Sequence, residues 1–270
     1  MCEALALGRG SYYYIEAGKT VGTELENAAI HEFYLSRKCY GTRKLKRQLA
    51  CEQNGHPALM VSRRRVGEIM GEHSLVSKHT PKHGERHKEA VNNDPVPNKV
   101  ERRFTDRRPL EVVVSDLTYI KCAGRWHCLC LLLDLHGRKI IGSAVGRQKD
   151  AKLVKKAFYG TQADLRRISI FHTDRGGEFK NRVIDEIIEA FGIERSLSAK
   201  GTPIDNAVAE SMYNIVKTEF AFGEEFADYE ELELKWFDYA NWYNNIRIHG
   251  SLGYLTPVEF EKANDPNARI

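Results

Sequence analysis

The 270-residue sequence lacks the features of membrane and secreted proteins. No run of about 18 or more apolar residues occurs, so no membrane-spanning helix and no membrane partner are expected. The N-terminus has no basic segment followed by a long apolar stretch, which argues against a secretory signal. The six cysteines include no C-x-x-C pair and no disulfide-framework spacing. These absences predict a reduced protein of the cytoplasm.

Charge is distributed unevenly along the chain. The net charge is only +4, but residues 1–110 carry an excess of Lys and Arg, whereas the remainder carries an excess of Asp and Glu. A basic arm joined to a carboxylate-bearing domain is typical of proteins that grip nucleic acid. Ordinary variation of surface charge is the alternative, and charge alone does not separate the two.

Residues 1–75 predict a small all-α region. Apolar residues recur at helical spacing between positions 25 and 33, and Thr42 and Ser62 are predicted to cap two short helices on either side of a turn at 54–57. This pattern resembles a helix-turn-helix, in which the start of the second helix contacts bases in the major groove. The residues predicted to contact DNA are Arg43, Lys44, Arg63, Arg64 and Arg65. A solvated basic face of an ordinary helical bundle is the alternative.

Residues 76–109 predict a linker, because they are polar, poor in large apolar side chains and interrupted by prolines. His79, His83 and His87 recur at a spacing that would suit metal ligands. No cysteine or acidic cluster stands nearby to complete a tetrahedral site. We therefore predict a flexible basic linker and not a metal site.

From residue 110 onward the pattern is α/β, with the main domain predicted at 110–222 and a C-terminal helical extension at 223–270. Strands are predicted at 110–121, 126–135, 139–145, 168–172 and 193–197. The first three should form an antiparallel meander. Helices are predicted at 152–165, at 183–191 and from Thr202, which begins a capping pattern. The aromatic residues predicted to pack in the extension are Trp236, Tyr239, Trp242 and Tyr243.

Three carboxylates of the α/β region stand where a metal site could use them. Asp116 and Asp174 follow apolar, strand-like runs, and Glu210 lies on the helix predicted from Thr202. The buried stripe of that helix is predicted to be Ile204, Val208, Ser211/Met212 and Ile215. Asn206, Glu210, Asn214 and Lys217 then share a different face. Carboxylates converging from two strands and a helix are what a two-metal phosphoryl-transfer site needs, although Glu210 alone would be read as a solvated helix residue.

Several sequence runs together resemble one known family. They are Tyr40–Leu45, Ser115–Ile120, His172–Phe179, Ser196–Ser211, Val216–Glu219 and Asn241–Pro257. These runs resemble the transposases encoded by the second reading frame of the third insertion-sequence family, which share a catalytic core with retroviral integrases. The 35 residues between Asp174 and Glu210 match the D,D-35-E spacing of that family. The zinc-binding His/His/Cys/Cys domain of retroviral integrases is absent from this sequence.

The resemblance implies a ribonuclease-H-like, integrase-type α/β core with a mixed five-stranded sheet, preceded by a small all-α helix-turn-helix domain. It implies that Asp116, Asp174 and Glu210 bind two Mg²⁺ or Mn²⁺ ions and catalyse DNA strand cleavage and strand transfer at element ends. Lys217, and with it Asn206 and Asn214, would contact DNA. The implied partners are terminal inverted repeats, target DNA, an upstream-frame protein or fusion partner, and further copies of the chain on DNA.

Two other functions stay open at this point. One is a transposase-derived DNA-binding protein that no longer cuts, and the complete set of three carboxylates argues against it. The other is a nuclease of the ribonuclease-H type without strand transfer, and the helix-turn-helix pattern and the C-terminal run argue against it. A strand-joining assay with a pre-cut DNA end separates the leading hypothesis from both.

Overall fold

The computed structural model describes residues 20–52, 54–80, 97–100, 107–199 and 206–264. The chain divides into two compact units, Met1–Ser77 and Lys78–Ile270. The finer division into a helix-turn-helix region, a linker, a core and an extension stays a prediction. Within the described ranges, no helix is both long enough and apolar enough to cross a membrane.

The first unit is helical where it is described. Its helices are α1 (Thr20–Leu35), α2 (Thr42–Leu49) and α3 (Arg63–Glu72). They share a core whose buried members include Ala29, Phe33, Leu45, Leu49, Val66 and Ile69. Apolar positions of each helix therefore face one another, as their helical spacing predicts. The helices are confirmed, and their assignment as a helix-turn-helix remains a prediction.

The two predicted helix caps have different outcomes. Ser62 caps α3, because its hydroxyl accepts a hydrogen bond of 3.1 Å from the backbone N–H of Arg65. The prediction for Thr42 is wrong. The Leu45 N–H bonds to the carbonyl of Gly41, so the helical ladder already begins at Gly41 and Thr42 is the first helical residue. Gly41 has no side chain that could cap α2.

A five-stranded mixed sheet forms the centre of the second unit. Its strands are β1 (Val112–Cys122), β2 (Arg125–Asp134), β3 (Ile140–Gly146), β4 (Ile170–Thr173) and β5 (Glu194–Leu197). Their spatial order is β3-β2-β1-β4-β5. The first three strands pair antiparallel, whereas β4 runs parallel to both β1 and β5. The predicted strands and the predicted meander are confirmed.

One face of the sheet is covered by α4 (Ala151–Tyr159) and α5 (Arg182–Ala190), which share a hydrophobic core with it. The prediction that α4 extends to residue 165 is wrong. The helix ends at Gly160, a residue that disfavours helix, and the Thr161 hydroxyl then bonds to the Ala157 carbonyl at 3.2 Å. A separate 3₁₀ turn, Leu165–Arg167, leads on to β4.

The remaining elements follow β5. They are α6 (Ala207–Val216), a π-helical turn at Lys217–Ala221, α7 (Tyr229–Asn245), a 3₁₀ turn at Gly250–Leu252, and α8 (Pro257–Ala263). Helix α6 packs against β1 and α7 against β3. The predicted cap at Thr202 lies outside the described residues. The four aromatic residues of α7 are buried as predicted.

A buried ion pair stands at the π-helical turn. The Glu219 carboxylate has no exposed side-chain surface, and the Arg247 guanidinium lies 2.6 Å from it. Burial opposes ionisation of this carboxyl, but the Arg247 charge and hydrogen bonds from His79 and Arg247 outweigh it and lower the pKa of Glu219 to about 2. The folded chain therefore holds Glu219 ionised at every ordinary pH.

Replacing Glu219 with Gln should lower the free energy of unfolding by roughly 3–5 kcal/mol near neutral pH, because Arg247 stays buried without its counter-charge. The folded pKa lies below the ordinary value of 4.5, so this contribution is complete above pH 4.5 and is lost as the pH falls towards 2. Urea denaturation across this pH range should show that the free energies of unfolding of the wild type and the variant converge as the pH falls. A difference that stays constant down to pH 2 would contradict the assignment, and exposed Glu224→Gln is the control.

Candidate active site

Two adjacent parallel strands bring Asp116 and Asp174 together. In the register of β1 and β4, Val114 lies opposite His172. Asp116 and Asp174 are each two residues further along, so they stand at the same level of the sheet. Asp174 is the first residue after β4. Both side chains are half-buried.

The two aspartates disfavour each other's charge. Burial, and after it the Asp174 carboxylate, raises the pKa of Asp116 to about 8. A 2.7 Å hydrogen bond from the Leu117 N–H to Oδ1 and the charge of Lys149 act in the opposite direction. The pair therefore carries an electrostatic cost that a divalent cation between the carboxylates would relieve.

Asp174 is held by the tight turn that follows it. The Gly176 N–H donates to Asp174 Oδ1 at 3.0 Å. A Cβ atom at position 176 would overlap the Glu178 carboxylate in its present position, so any larger residue would displace that carboxylate. The neighbouring Gly177 meets no such restriction. Gly176 thus orients Asp174 and leaves room for Glu178.

Tyr213 ties α6 to the sheet beside Asp116. Its hydroxyl donates to the backbone carbonyl of Asp116 and accepts a hydrogen bond of 3.1 Å from the Leu131 N–H. The buried residues of α6 are accordingly Ala209, Met212, Tyr213 and Val216. Of the predicted stripe, Met212 is buried, Val208 and Ile215 are half-buried, and Ser211 is exposed. Ile204 lies outside the described residues. The bond from Tyr213 to β1 decides which face of the helix turns inward.

Glu210 lies one turn before Tyr213 on the exposed surface of α6. Over the described ranges, no three or more His, Cys, Asp or Glu residues lie close enough together to hold a metal ion. The structure thus brings Asp116 and Asp174 together and places Glu210 on the neighbouring helix, outside a common ligand cluster. Residues 200–205, which precede α6, lie outside the described residues.

The other residues predicted on the face of Glu210 differ in exposure. Asn214 and Lys217 are exposed. Asn206 is 5% exposed, and its Oδ1 has no hydrogen-bond partner within the described part of the chain. The prediction of one shared face therefore holds for Asn214 and Lys217 but not for Asn206, which occupies the N-cap position of α6.

The predicted DNA-contacting residues of the first unit also fall into two groups. Arg43, Arg63 and Arg64 are exposed. Lys44 lies over the Tyr40 ring, 5.0 Å from its centroid. Arg65 is bound at 2.9 Å to Glu26 and at 3.2 Å to Glu72. Arg65 therefore links α1 to α3, a role that its place in the arginine run did not reveal.

An ion pair beside the aspartates was missed by sequence reasoning. Lys149 lies 3.3 Å from Glu178, and their side chains are 18% and 7% exposed. Burial raises the pKa of Glu178 above its usual range, and the Asp174 charge contributes in the same direction. Glu178 belongs to the run that contains Asp174, which was a usable signal. Lys149 stands 25 positions before Asp174, and nothing in its local sequence marks it.

The chain is similar to known integrase-core proteins and transposases. Two models described as "Integrase core domain" match residues 106–203 and 210–264. The transposase of insertion element IS904 from Lactococcus lactis is 30% identical over 216 residues, which cover 76% of this chain and 83% of that protein. The transposase InsF of IS3A from Escherichia coli K12 is 26% identical, covering 98% of this chain and 93% of that one.

A solved chain from a simian T-cell lymphotropic virus intasome, in complex with a PP2A regulatory subunit, has a TM-score of 0.49 at 14% identity. It covers 90% of this chain and 76% of that chain. The order and directions of the five strands, together with the matching family models, identify the second unit as a ribonuclease-H-like integrase core. The chain belongs to the insertion-sequence transposases of the IS3 family, which carry the integrase core domain.

Proposed function

We propose that this member of a DNA-transposing family cuts DNA at the ends of an insertion element and joins those ends to target DNA, with Asp116, Asp174 and Glu210 as its catalytic residues. The observation that carries the proposal is the pairing of Asp116 with Asp174 beside α6. Tyr213 bonds that helix to the Asp116 carbonyl one turn after Glu210. The three carboxylates therefore come from elements that are physically connected.

The donor set fits Mg²⁺ or Mn²⁺, which prefer carboxylate oxygens and water. Asp116 and Asp174 offer two such groups side by side, at a place where burial disfavours the charge of Asp116. Glu210 lies on the exposed surface of the neighbouring α6, and we propose that its side chain completes the site when metal and DNA bind. Two ions held by these residues would stabilise the attacking and leaving oxygens at phosphorus.

The side chains around the carboxylates would position DNA. The exposed Lys217 follows directly after α6 and is proposed to bind a phosphate of the element end, with exposed Asn214 next to it. The scheme implied by the family needs no side-chain nucleophile. Water attacks the first phosphodiester and a strand with a 3′-hydroxyl leaves. That hydroxyl then attacks a target phosphodiester and expels a target 3′-oxygen, so one bond forms as each breaks.

Replacing Glu210 with Gln should abolish cleavage and joining while leaving DNA binding intact, because a hard ligand is removed. The decrease should exceed about a hundredfold, equivalent to several kcal/mol of transition-state stabilisation. Strand transfer from a pre-cut end measures this decrease, and Mn²⁺ binding by electron paramagnetic resonance provides a second readout.

Glu189→Gln, on the exposed surface of α5, is the matched control for the Glu210 variant. Near wild-type joining by the Glu210 variant would exclude this role, and a wild-type protein that binds DNA without joining it would favour the inactive alternative.

The first unit is proposed to bind DNA through Arg63 and Arg64. Alanine at both positions should weaken binding and make its salt dependence shallower, by about one log–log unit for each phosphate that is no longer neutralised. Arg65→Ala serves as the contrast, since its ion pairs with Glu26 and Glu72 predict a lower melting temperature and a smaller change in slope. Binding isotherms at several salt concentrations test this. An unchanged affinity and slope in the double variant would remove the helix-turn-helix assignment.

Recognition of element ends is proposed to depend on an upstream-frame protein or fusion partner, and joining on several copies of the chain on DNA in the bacterial cytoplasm. Residues 1–270 alone should then distinguish a terminal-repeat duplex from a scrambled duplex only weakly. Competition binding at physiological salt measures the ratio. Discrimination beyond about a hundredfold, or roughly 3 kcal/mol, would show that this chain needs no partner for recognition.

A further inference from the structure

The carboxylate of Glu219 is the meeting point of three separate segments of the second unit. Arg247, which follows α7, donates from Nε and Nη2 at 2.8 and 2.6 Å. His79 Nε2 donates at 2.7 Å from the first residues of the unit. The Tyr239 hydroxyl donates at 3.0 Å from within α7. Both carboxylate oxygens are therefore fully used.

The backbone of the same turn is held as well. Lys78 Nζ donates to the Glu219 carbonyl at 2.9 Å. The Phe222 N–H bonds to the Lys217 carbonyl at 2.8 Å, which closes the π-helical turn. The ring of Phe220 packs against Trp236, with centroids 5.3 Å apart. Side-chain bonds, backbone bonds and aromatic packing thus fix a single turn of five residues.

This turn directly continues α6. Lys217 is its first residue and is exposed, whereas Glu219, two positions later, faces inward. Any rotation of the turn that releases Glu219 must also move Lys217. Upstream, Tyr213 bonds α6 to β1. Helix α6 is therefore fixed at Tyr213 and at the turn, and Glu210 lies one helical turn before the first of these points.

We propose that Glu219 and Arg247 are positioning residues for the reaction proposed above, on which this inference rests: they lock the turn after α6 and so hold Glu210 and Lys217 in place beside β1. Arg247 comes from the Asn241–Pro257 run, which has no other role in the proposed reaction, and Glu219 comes from the Val216–Glu219 run, which also contains Lys217. Through this ion pair, both runs contribute to locking the turn after α6.

A purely structural role explains less of this arrangement. Buried ion pairs are often no more stabilising than well-packed apolar residues of similar volume. What such a pair adds is geometry, because a guanidinium that binds both oxygens of a carboxylate permits only one relative orientation. Single π-helical turns are also found frequently at functional sites. The hydrogen bonds between Arg247 and Glu219 are directional. They act on the turn that sets the orientation of Lys217.

The experiment compares the wild type with two variants that keep the site compact. Glu219→Gln combined with Arg247→Met removes both charges and leaves no buried ion unpaired, so it tests geometry without stranding a guanidinium. Arg247→Lys keeps the charge and removes the two-point interaction. Glu186→Gln removes an exposed ion pair with Arg182 on α5 and is the control. Circular dichroism and melting temperature first establish that each variant is folded.

Two readouts follow in the folded variants. Hydrogen exchange of the Ala207–Ala221 amides should become about tenfold faster in the double variant, with the β1 and β2 amides unchanged. In strand transfer, the Mn²⁺ concentration for half-maximal rate should rise about tenfold while kcat at saturating Mn²⁺ changes less, since Glu210 is misplaced but present. Arg247→Lys should fall between the double variant and the wild type.

The outcomes separate this inference from the proposed function. Unchanged exchange in the Ala207–Ala221 amides of the folded double variant would overturn the positioning role, whatever the activity. Faster exchange with an unaltered Mn²⁺ requirement would overturn it too, because α6 would then move without affecting the metal ligand. A wild-type protein without strand transfer would remove the proposed function, and the exchange result would still decide whether the pair holds α6.

Discussion

The hydroxyl of Tyr213 makes the bonds on which the geometry of this molecule depends. It joins α6 to the backbone of β1 at Asp116 and to β2 at Leu131. A tyrosine that is buried must satisfy its hydroxyl, and here it does so by bonding to the sheet at the level of the aspartate pair. The register of the helix against the sheet, and with it the direction of Glu210, follows from that requirement.

The rest of the second unit supports this junction from two sides. The central strands supply a nearly continuous apolar layer, with Cys130 and Leu132 fully buried, on which α4 and α5 pack. Beyond α6, the ion pair at the π-helical turn sets where the helix ends. Rigid elements thus hold carboxylates that repel each other, an arrangement that is common at functional sites.

Much of this could be predicted from the sequence. Period-two alternation and apolar runs indicated all five strands, and helical spacing indicated α5 and the helices of the first unit. The errors are local and have physical causes. At Thr42 and at residues 160–165, a glycine decided where the helix began or ended, whereas the capping and apolar patterns suggested otherwise.

The site was predictable only in part. The family resemblance implied that Asp116 and Asp174 share a site, and the parallel register of β1 and β4 brings them to the same level. The inward face of α6 could not be read from apolar residues alone, because a polar hydroxyl decides it. Asn206 was assigned to the wrong surface because it stands at the N-cap of α6, before the helical spacing begins. Lys149 was missed because its relation to Glu178 exists only in three dimensions.

The close approach at Gly176 links shape to charge in this site. Its N–H holds Asp174, and its missing side chain leaves the space that the Glu178 carboxylate occupies. Glu178 in turn holds Lys149, whose charge acts on Asp116. A methyl group added at position 176 would therefore displace the Glu178 carboxylate and, through Lys149, change the electrostatic potential at Asp116. Substitution of Gly176 is therefore limited by the chemistry at Asp174, two residues earlier, as well as by the space around Gly176.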